Sequence, residues 1–270
     1  MTESSATADD QQEIVKLDTA VPQTARIWNY LLGGKDNFAA DRAVGDQIIQ
    51  TLPQLAENAR LSRAYLTRAA RYLAGEAGVR QFLDIGTGLP TANNTHQVAQ
   101  SVAPDARVVY VDNDALVLAH ARALLTSSPE GATDYIDADL RDTDTILREA
   151  AKTLDLTKPV ALFLMGIVGH IESDDEAKSI IKRIMDALPS GSYLAMYDGS
   201  DTSEAVTEAA RIWNASANPK YHLRSPDRIA GLFDGLDLVE PGVVSVNEWK
   251  PDASTPPDVI DQYCAVGRKP

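Results

Sequence analysis

The sequence lacks the features of a disulfide-stabilised or membrane-spanning protein. Its 270 residues include one cysteine, Cys264, so the chain can form neither an internal disulfide nor a zinc site built on several cysteines. It has no run that approaches the roughly 18 apolar residues of a membrane helix. Residues 1–10 are polar and acidic, without the basic and apolar regions of a secretory signal. We therefore expect a soluble, cytoplasmic protein with no membrane partner, in which residues 1–20 form a disordered tail.

Positive charge is also scarce in the sequence. Lysine and arginine number 25 against 39 aspartates and glutamates, which gives a formal net charge of −14. Such a chain repels nucleic acid at long range, which favours a small-molecule partner over a nucleic acid. Hydrophobic residues make up 44% of the chain, enough for a sizeable core. The oligomeric state is left open by the sequence.

Strands and helices alternate from residue 81 onward. Five apolar segments predict parallel strands: 81–85, 107–111, 135–136, 160–165 and 192–197. A helix is predicted after the first strand, over 91–103. Two last strands, at 236–246 and 259–266, have no helix between them and should pair antiparallel. Residues 77–270 are thus predicted to form an α/β domain, a Rossmann-like, seven-stranded, mainly parallel sheet with helices on both faces.

Helical periodicity characterises residues 21–76, which precede the alternating pattern. Three helices are predicted, over residues 25–32, 39–52 and 54–74. The first should stop at Gly33-Gly34, since glycine commonly ends a helix. This segment is predicted to form an N-terminal helical extension of the sheet domain.

A glycine turn follows the first predicted strand. The strand ends in Asp84, and Gly86, Thr87 and Gly88 form the turn. Glycines allow a ligand to approach the backbone closely. Dinucleotide-binding turns carry a third glycine, where this chain has Thr91, and Asp84 would face a pyrophosphate unfavourably. The carboxylate suits a ligand with an ammonium group, such as the methionine end of S-adenosylmethionine; the alternative is a tight turn without a ligand.

Acids also follow the second and third predicted strands. Asp112, at the end of the second strand, could accept hydrogen bonds from ribose hydroxyls, or it could only cap the next helix. Asp139, rather than Asp137, which should point the other way, could accept the adenine amino group, or it could be a solvated loop acid. Three acids at successive strand ends support one another. The predicted cofactor site also includes Asn113, Leu140 and Met165.

These residues resemble the class I S-adenosylmethionine-dependent methyltransferases over roughly residues 81–267. That family usually has a third glycine where this chain has Pro90, which removes one backbone N–H. A narrower resemblance covers residues 25–38 (ARIWNYLLGGKDNF), 82–91 (FLDIGTGLPT) and 249–251 (WKP). These stretches resemble an actinobacterial S-adenosyl methyltransferase family that was formerly a domain of unknown function. The resemblance implies the fold and the cofactor, S-adenosylmethionine, and implies no acceptor.

The narrower resemblance also sharpens the interpretation of the N-terminal helices. The polar turn at residues 33–37 has no obvious role in a core. We therefore hypothesise that residues 21–76 form a lid over the cofactor. The side chains expected to face the pocket come from Tyr30, Lys35, Asn37, and Arg60 or Arg63.

The acceptor side carries fewer signals. The sequence MGIVGH at 165–170 replaces the Asn-Pro-Pro-Tyr type of motif found in enzymes that methylate amino groups of nucleic acids, and no Pro-Cys nucleophile is present. His170 is a candidate general base, with a structural histidine as the alternative. Asp198 and Asp201 lack the matching acid that a metal-assisted O-methyltransferase would have after the fourth strand. No metal site is predicted.

The sequence thus favours an S-adenosylmethionine-dependent methyltransferase that acts on the oxygen or nitrogen of a small-molecule acceptor. Two alternatives stay open: an enzyme that uses the same cofactor without methyl transfer, and a non-catalytic cofactor-binding protein. A nicotinamide-dependent oxidoreductase is disfavoured by Asp84 and Thr91. Methyl transfer releases S-adenosylhomocysteine, whereas the other reactions of this cofactor generally release methylthioadenosine.

Overall fold

A computed structural model describes residues 18–124, 126–256 and 258–270. Residues 1–17, most of the predicted tail, lie outside the described residues. The described chain forms a central sheet of eight strands with helices on both faces, which confirms the predicted α/β class. Among the described helices, none is both long and apolar enough to cross a membrane.

The strands of the sheet begin at residue 81. They are β1 (Gln81–Ile85), β2 (Arg107–Asp112), β3 (Ala132–Asp137), β4 (Ala161–Met165), β5 (Tyr193–Gly199), β6 (Asp237–Leu238), β7 (Val244–Ser245) and β8 (Gln262–Arg268). The order across the sheet is β3-β2-β1-β4-β5-β8-β6, and β7 also pairs with β8. The first five strands are parallel, so their carboxyl ends meet at one edge.

The closing strands pair antiparallel, as predicted from the missing crossover helix. The sixth predicted strand, 236–246, is two short strands in the structure, β6 and β7. Pro241 lies between them and has no N–H for the ladder, and Gly242 follows it with a positive φ of 88°. The chain therefore leaves the edge of the sheet and returns to it.

The helices occupy the predicted connections. They are α1 (Thr24–Leu31), α2 (Ala39–Thr51), α3 (Leu55–Gly75), α4 (Thr95–Val102), α5 (Ala115–Leu124), α6 (Thr143–Ala150), α7 (Asp174–Ala187), α8 (Glu204–Ser216) and α9 (Pro226–Ala230). α4 begins four residues later than predicted. Gln97 accepts a hydrogen bond from the Asn94 backbone at 2.9 Å, which starts the helix at Thr95 and leaves residues 91–94 in the loop after the glycine turn.

Two apolar cores flank the sheet, and α3 belongs to one of them. Tyr65 and Leu73 of α3 are fully buried in the core that also holds Phe82 of β1 and Trp249. The rings of Tyr65 and Trp249 meet edge to face, with centroids 5.6 Å apart. Tyr65 also donates to the carbonyl of Ala265 in β8 at 2.8 Å. α3 is therefore a covering helix of the sheet.

A third apolar cluster joins the first two helices to α8. Ile27 of α1 and Ile48 of α2 pack in it with Trp213 of α8. The predicted lid over residues 21–76 thus packs in two places. α3 packs on the sheet, while α1 and α2 pack against α8, the helix that follows β5. The function of α1 and α2 as a lid stays a prediction.

Candidate functional site

A cavity of about 620 Å³ opens at the carboxyl ends of the parallel strands. This volume lies within the range of about 300–1,000 Å³ that is usual for small-molecule sites. One half of its wall consists of the glycine turn and the strand-end acids. The other half is apolar and comes from α1, α2 and α8, with Trp28, Ile48, Leu52, Val206 and Trp213 among its residues.

The two glycines of the turn have different roles. Both have positive φ, 75° at Gly86 and 65° at Gly88. A Cβ at Gly86 would lie 2.5 Å from the side chain of Ile167, so this glycine lets the loop after β4 pack against the turn. A Cβ at Gly88 would meet no atom within 4 Å, so this residue borders open space in the cavity. Thr87 lines the cavity between them and donates to the backbone carbonyl of Asp84 at 3.1 Å.

Asp84 is a buried carboxylate in the cavity wall. Its Oδ2 accepts a hydrogen bond from the Thr95 hydroxyl at 2.6 Å. Burial raises the pKa of Asp84 to about 6, and the hydrogen bond and the nearby positive charge of Arg63 oppose that rise. A cationic group bound beside it would favour the charged carboxylate further.

Asp112 links the end of β2 to the glycine turn. Its Oδ2 accepts from the Gly88 backbone and its Oδ1 from the Asp114 backbone, both at 2.9 Å. Each carboxylate oxygen has two acceptor positions, so one on each oxygen is left for a ligand. Burial raises the pKa of Asp112, while these two backbone bonds lower it.

Asp139 lies beyond Asp112 along the same edge and lines the cavity. Its Oδ2 accepts from the Asn113 amide at 3.2 Å, and its Oδ1 accepts from the Arg141 backbone at 2.8 Å. Asp137, the last residue of β3, is exposed and outside the lining, as predicted, whereas Asp139 lies in the loop beyond the strand. The structure thus brings together nine predicted cofactor residues in one wall: Asp84, Gly86, Thr87, Gly88, Asp112, Asn113, Asp139, Leu140 and Met165.

Four predicted lid residues, Tyr30, Lys35, Asn37 and Arg60, lie outside the cavity lining, so the prediction that they face the pocket is corrected. The Tyr30 hydroxyl donates to Asp46 of α2 at 2.6 Å, because the ring points along the contact between α1 and α2. Arg60 is exposed and pairs with Glu57, one turn earlier on α3, at 2.8 Å. The positions that do face the cavity from α3 include Asn58 and Arg63, on a neighbouring side of the helix.

Asn37 is the third of these residues, and it has a structural role. Its amide donates to Asn29 Oδ1 at 3.0 Å and to the carbonyl of Gly34 at 2.9 Å. The Asp36 backbone donates to the same Asn29 oxygen at 3.0 Å. The polar turn, which also includes the predicted Lys35, is therefore bonded within itself, and Asn29, rather than Asn37 or Lys35, lines the cavity.

Asn58 was not predicted and is the clearest polar addition to the site. It lines the cavity and is buried, and within the described residues its Oδ1 has no hydrogen-bond partner. A buried acceptor without a partner is costly, which indicates that a ligand donor belongs there. The signal in the sequence is a polar residue on the apolar face of an amphipathic helix, next to Ala59 and Leu66.

His170 ends a 3₁₀ turn, Val168–His170, directly after β4, and it lines the cavity. Its Nδ1 lies 2.7 Å from the backbone carbonyl of Lys220. Burial lowers the pKa of the imidazole, and this hydrogen bond opposes the fall. The ring meets Tyr221 edge to face, with centroids 5.2 Å apart.

The fold is that of the class I methyltransferases. The same fold occurs in magnesium protoporphyrin IX methyltransferase of Synechocystis, with a TM-score of 0.53 at 11% identity over 90% of this chain and 93% of that one. The chain belongs to the S-adenosyl methyltransferase family, whose family model matches residues 10–270. This match confirms the resemblance seen in residues 25–38 and 82–91. S-adenosylmethionine is accordingly its cofactor.

Two solved structures from actinobacteria are similar over almost the whole chain. A DUF574 family protein of Streptomyces avermitilis is 47% identical with a TM-score of 0.90, covering 94% of this chain and 99% of its own. A methyltransferase candidate from Thermobifida fusca is 43% identical with a TM-score of 0.86, covering 93% and 96%. No curated protein matches the chain.

The residues present fit the cofactor. Asp112 keeps two acceptor positions, Gly88 borders open space, and Asn58 holds an acceptor without a partner. All three residues lie around one cavity. Asp112 and Asn58 provide acceptors for the hydroxyl and amino donors of S-adenosylmethionine, and Gly88 leaves space for the ligand beside them.

Proposed function

We propose that this protein transfers the methyl group of S-adenosylmethionine to an oxygen or nitrogen atom of a small-molecule acceptor. One observation carries the proposal: a single cavity joins the acidic strand ends to an apolar chamber formed by α1, α2 and α8. A cofactor held at the strand ends leaves the apolar half of the cavity for a second molecule.

The acidic half offers a partner for each polar part of the cofactor. Asp112 suits the ribose hydroxyls, and Asp139 with Leu140 borders the place for adenine. Asp84 suits the ammonium group at the amino-acid end, where Arg63 supplies a positive charge for the carboxylate. When bound, the cofactor supplies a methyl group that its positive sulfur already activates.

The apolar half favours a small acceptor over a polymer. The wall of this half contains the rings of Trp28 and Trp213, and residues of α1 and α2 form its outer side. The net charge of −14 disfavours a polyanionic nucleic acid. The contribution of the protein is to hold acceptor and cofactor in line, since positioning alone can supply about 7–11 kcal/mol of a barrier.

Calorimetric titration with S-adenosylmethionine, S-adenosylhomocysteine and NAD tests the cofactor half. We expect binding of the first two and none of NAD. Acceptor screening with mass spectrometry then tests the reaction. Formation of S-adenosylhomocysteine together with a methylated product supports methyl transfer. Methylthioadenosine as the by-product would identify a different reaction of the same cofactor, and binding without any turnover would favour a non-catalytic protein.

A further inference from the structure

We propose that the acceptor is an aromatic compound with a hydroxyl group and that His170 is the general base that removes its proton. This inference rests on the proposed methyl transfer and adds the substrate class and a catalytic residue. Three observations support it: the hydrogen bond of the imidazole Nδ1, the contacts that fix the position of the ring, and the aromatic wall of the cavity beside it.

The bonding of His170 identifies its basic nitrogen. Nδ1 lies 2.7 Å from the carbonyl oxygen of Lys220, and a carbonyl oxygen only accepts hydrogen bonds. Nδ1 therefore carries the proton of the neutral ring, and Nε2 carries the free lone pair. A positioned histidine in this tautomer can accept a proton through Nε2 from a ligand in the cavity that it lines.

The ring of His170 rests against a tyrosine that is itself fixed. The Tyr221 hydroxyl donates to Asp198 Oδ1 and accepts from the Gly199 backbone at 3.0 Å. The hydroxyl thus uses both its donor and its acceptor position on β5, so Tyr221 is a positioning residue and not a base. Its edge-to-face contact with His170, at an interplanar angle of 84°, orients the imidazole.

Hydrogen bonds from Arg224 fix the turn that carries His170. The Arg224 side chain is fully buried, and its guanidinium donates to the carbonyls of Val168, at 3.0 Å, and Ile171, which flank the histidine. Its Nε pairs with Asp174 of α7 at 2.8 Å. A buried guanidinium with all these partners resists movement of the turn, which a precisely placed base needs.

The surroundings of His170 favour the neutral form of its ring. Burial lowers its pKa, and the nearby Arg141 and His222 lower it further, whereas the Lys220 carbonyl raises it. Arg141 also donates to the His170 carbonyl at 3.3 Å and to Asp139 and Glu176. Its donors therefore have partners within the protein. The imidazole is a base, not an imidazolium, at neutral pH.

The wall next to His170 indicates the body of the acceptor. Tyr221 packs at the border of the apolar cluster of α1, α2 and α8, and the cavity lining there includes Trp28, Trp213 and Leu223. Rings pack favourably on rings, so an aromatic acceptor fits this wall. A neutral amine is nucleophilic without losing a proton, whereas an aromatic hydroxyl needs a base. The combination of a neutral histidine and an aromatic wall thus favours a hydroxyl.

The step balances as follows. The acceptor oxygen gives its proton to Nε2 of His170 and forms a bond to the methyl carbon. The bond between this carbon and the sulfonium sulfur breaks, and its electron pair remains on sulfur. S-adenosylhomocysteine and the methyl ether leave, and the imidazolium returns its proton to water.

The tautomer can be measured without any turnover. The chain has four histidines, and in ¹⁵N-histidine-labelled protein the signals of His170 are those that vanish in His170→Gln. We expect long-range ¹H–¹⁵N spectra at pH 7.5 to show a protonated Nδ1 and a bare Nε2. A proton on Nε2 instead would overturn the proposal, whatever the activity.

Turnover is tested with two probes of similar size, 2-naphthol and quinoline. The first must lose a proton to be methylated, and the second has no proton on its nitrogen. We expect wild-type protein with S-adenosylmethionine to methylate 2-naphthol, with a rate that rises with pH through a midpoint below the usual histidine pKa. His170→Gln should slow this reaction at least about 100-fold, since general bases contribute about 10²–10⁴.

His120→Gln is the matched control, because His120 lies on α5, outside the cavity lining, and is not among the groups that shift the pKa of His170. It should methylate 2-naphthol at the wild-type rate at pH 8. Turnover of quinoline but not of 2-naphthol, or a wild-type rate in His170→Gln, overturns the role of His170 and leaves the methyltransferase proposal standing. Failure of the protein to bind S-adenosylmethionine overturns the proposed function itself, and calorimetry separates the two results.

Discussion

The carboxylate of Asp112 provides the sharpest test of how the cofactor is held. Among the three strand-end acids of the described chain, it alone bonds the glycine turn through its carboxylate, which accepts from the Gly88 backbone at 2.9 Å. If it also binds the ribose, its removal must weaken every ligand that carries the adenosine hydroxyls. The affinity for S-adenosylhomocysteine therefore depends on this side chain even where no methyl group is transferred.

The expected magnitude comes from the free positions on its two oxygens. Each oxygen already accepts one backbone N–H, which leaves one position on each for a hydroxyl. A hydrogen bond to a charged group contributes about 1.5–3 kcal/mol, and about 1.4 kcal/mol is tenfold in affinity. Asp112→Ala should thus lower the affinity for S-adenosylhomocysteine by about 100-fold or more. Asp112→Asn, which keeps one oxygen, should lower it by about 10-fold.

The control is Asp137, which sits opposite Asp112 in the register of β2 and β3 but is exposed and outside the cavity. Titration calorimetry should find the affinity of Asp137→Ala unchanged. Melting temperatures are needed as well, because Asp112→Ala also leaves the Gly88 and Asp114 N–H groups without their acceptor. A folded variant with weak binding separates the ligand effect from loss of structure.

A ligand change makes the test independent of the fold of the variant. The 2′-deoxy analogue of S-adenosylhomocysteine lacks one of the two hydroxyls, so wild-type protein should bind it about 10-fold more weakly than the parent. In Asp112→Ala the two ligands should bind alike. Two results would refute the assignment of the ribose to this residue. One is the same drop in affinity from the parent ligand to the deoxy analogue in wild type and in Asp112→Ala; the other is an unchanged affinity of Asp112→Ala for S-adenosylhomocysteine.

Two further predictions concern stability and are measured by urea unfolding. Gly86→Ala should cost about 2 kcal/mol or more, from positive φ and overpacking together, whereas Gly88→Ala, with open space around it, should cost only about 1–2 kcal/mol for its φ; equal losses would contradict the close packing of the loop after β4. Arg224→Ala should cost about 3–5 kcal/mol, because it removes a fully buried side chain and leaves the carbonyls of Val168 and Ile171 without their donor. Arg228→Ala, which removes an exposed partner of Asp174, should cost under about 1 kcal/mol, and similar losses would argue against burial as the cause.

Local sequence patterns were sufficient to predict the fold and to place the three strand-end acids around one cavity. Alternating strands and helices dictate a parallel sheet, and a parallel sheet brings successive strand ends to one edge. Asp84, Asp112 and Asp139 could therefore be placed together without knowing any tertiary contact.

The N-terminal helices could not be oriented by the same means. Arg60 and Arg63 lie three positions apart on α3, and only the tertiary packing decides that Arg63 lines the cavity while Arg60 pairs with Glu57. The sequence predicts no core role for the polar turn that includes Asn37, yet this residue is buried against Asn29. Helix periodicity gives the faces of a helix but not which face meets a neighbour that is distant in sequence.

The stretch at residues 25–38, which carries the narrower family resemblance, shapes the wall opposite the acidic strand ends. Arg26 and Asp41 form a buried ion pair at 3.0 Å that ties α1 to α2, and Asp41 also accepts from the Phe38 backbone at 2.8 Å. A buried pair of this kind contributes more to a defined geometry than to net stability. It fixes the helix from which Trp28 reaches the apolar chamber. If the strand ends hold the cofactor that the family shares, as proposed, differences in acceptor between members of this family are expected in α1, α2 and α8, where this chain places its aromatic wall.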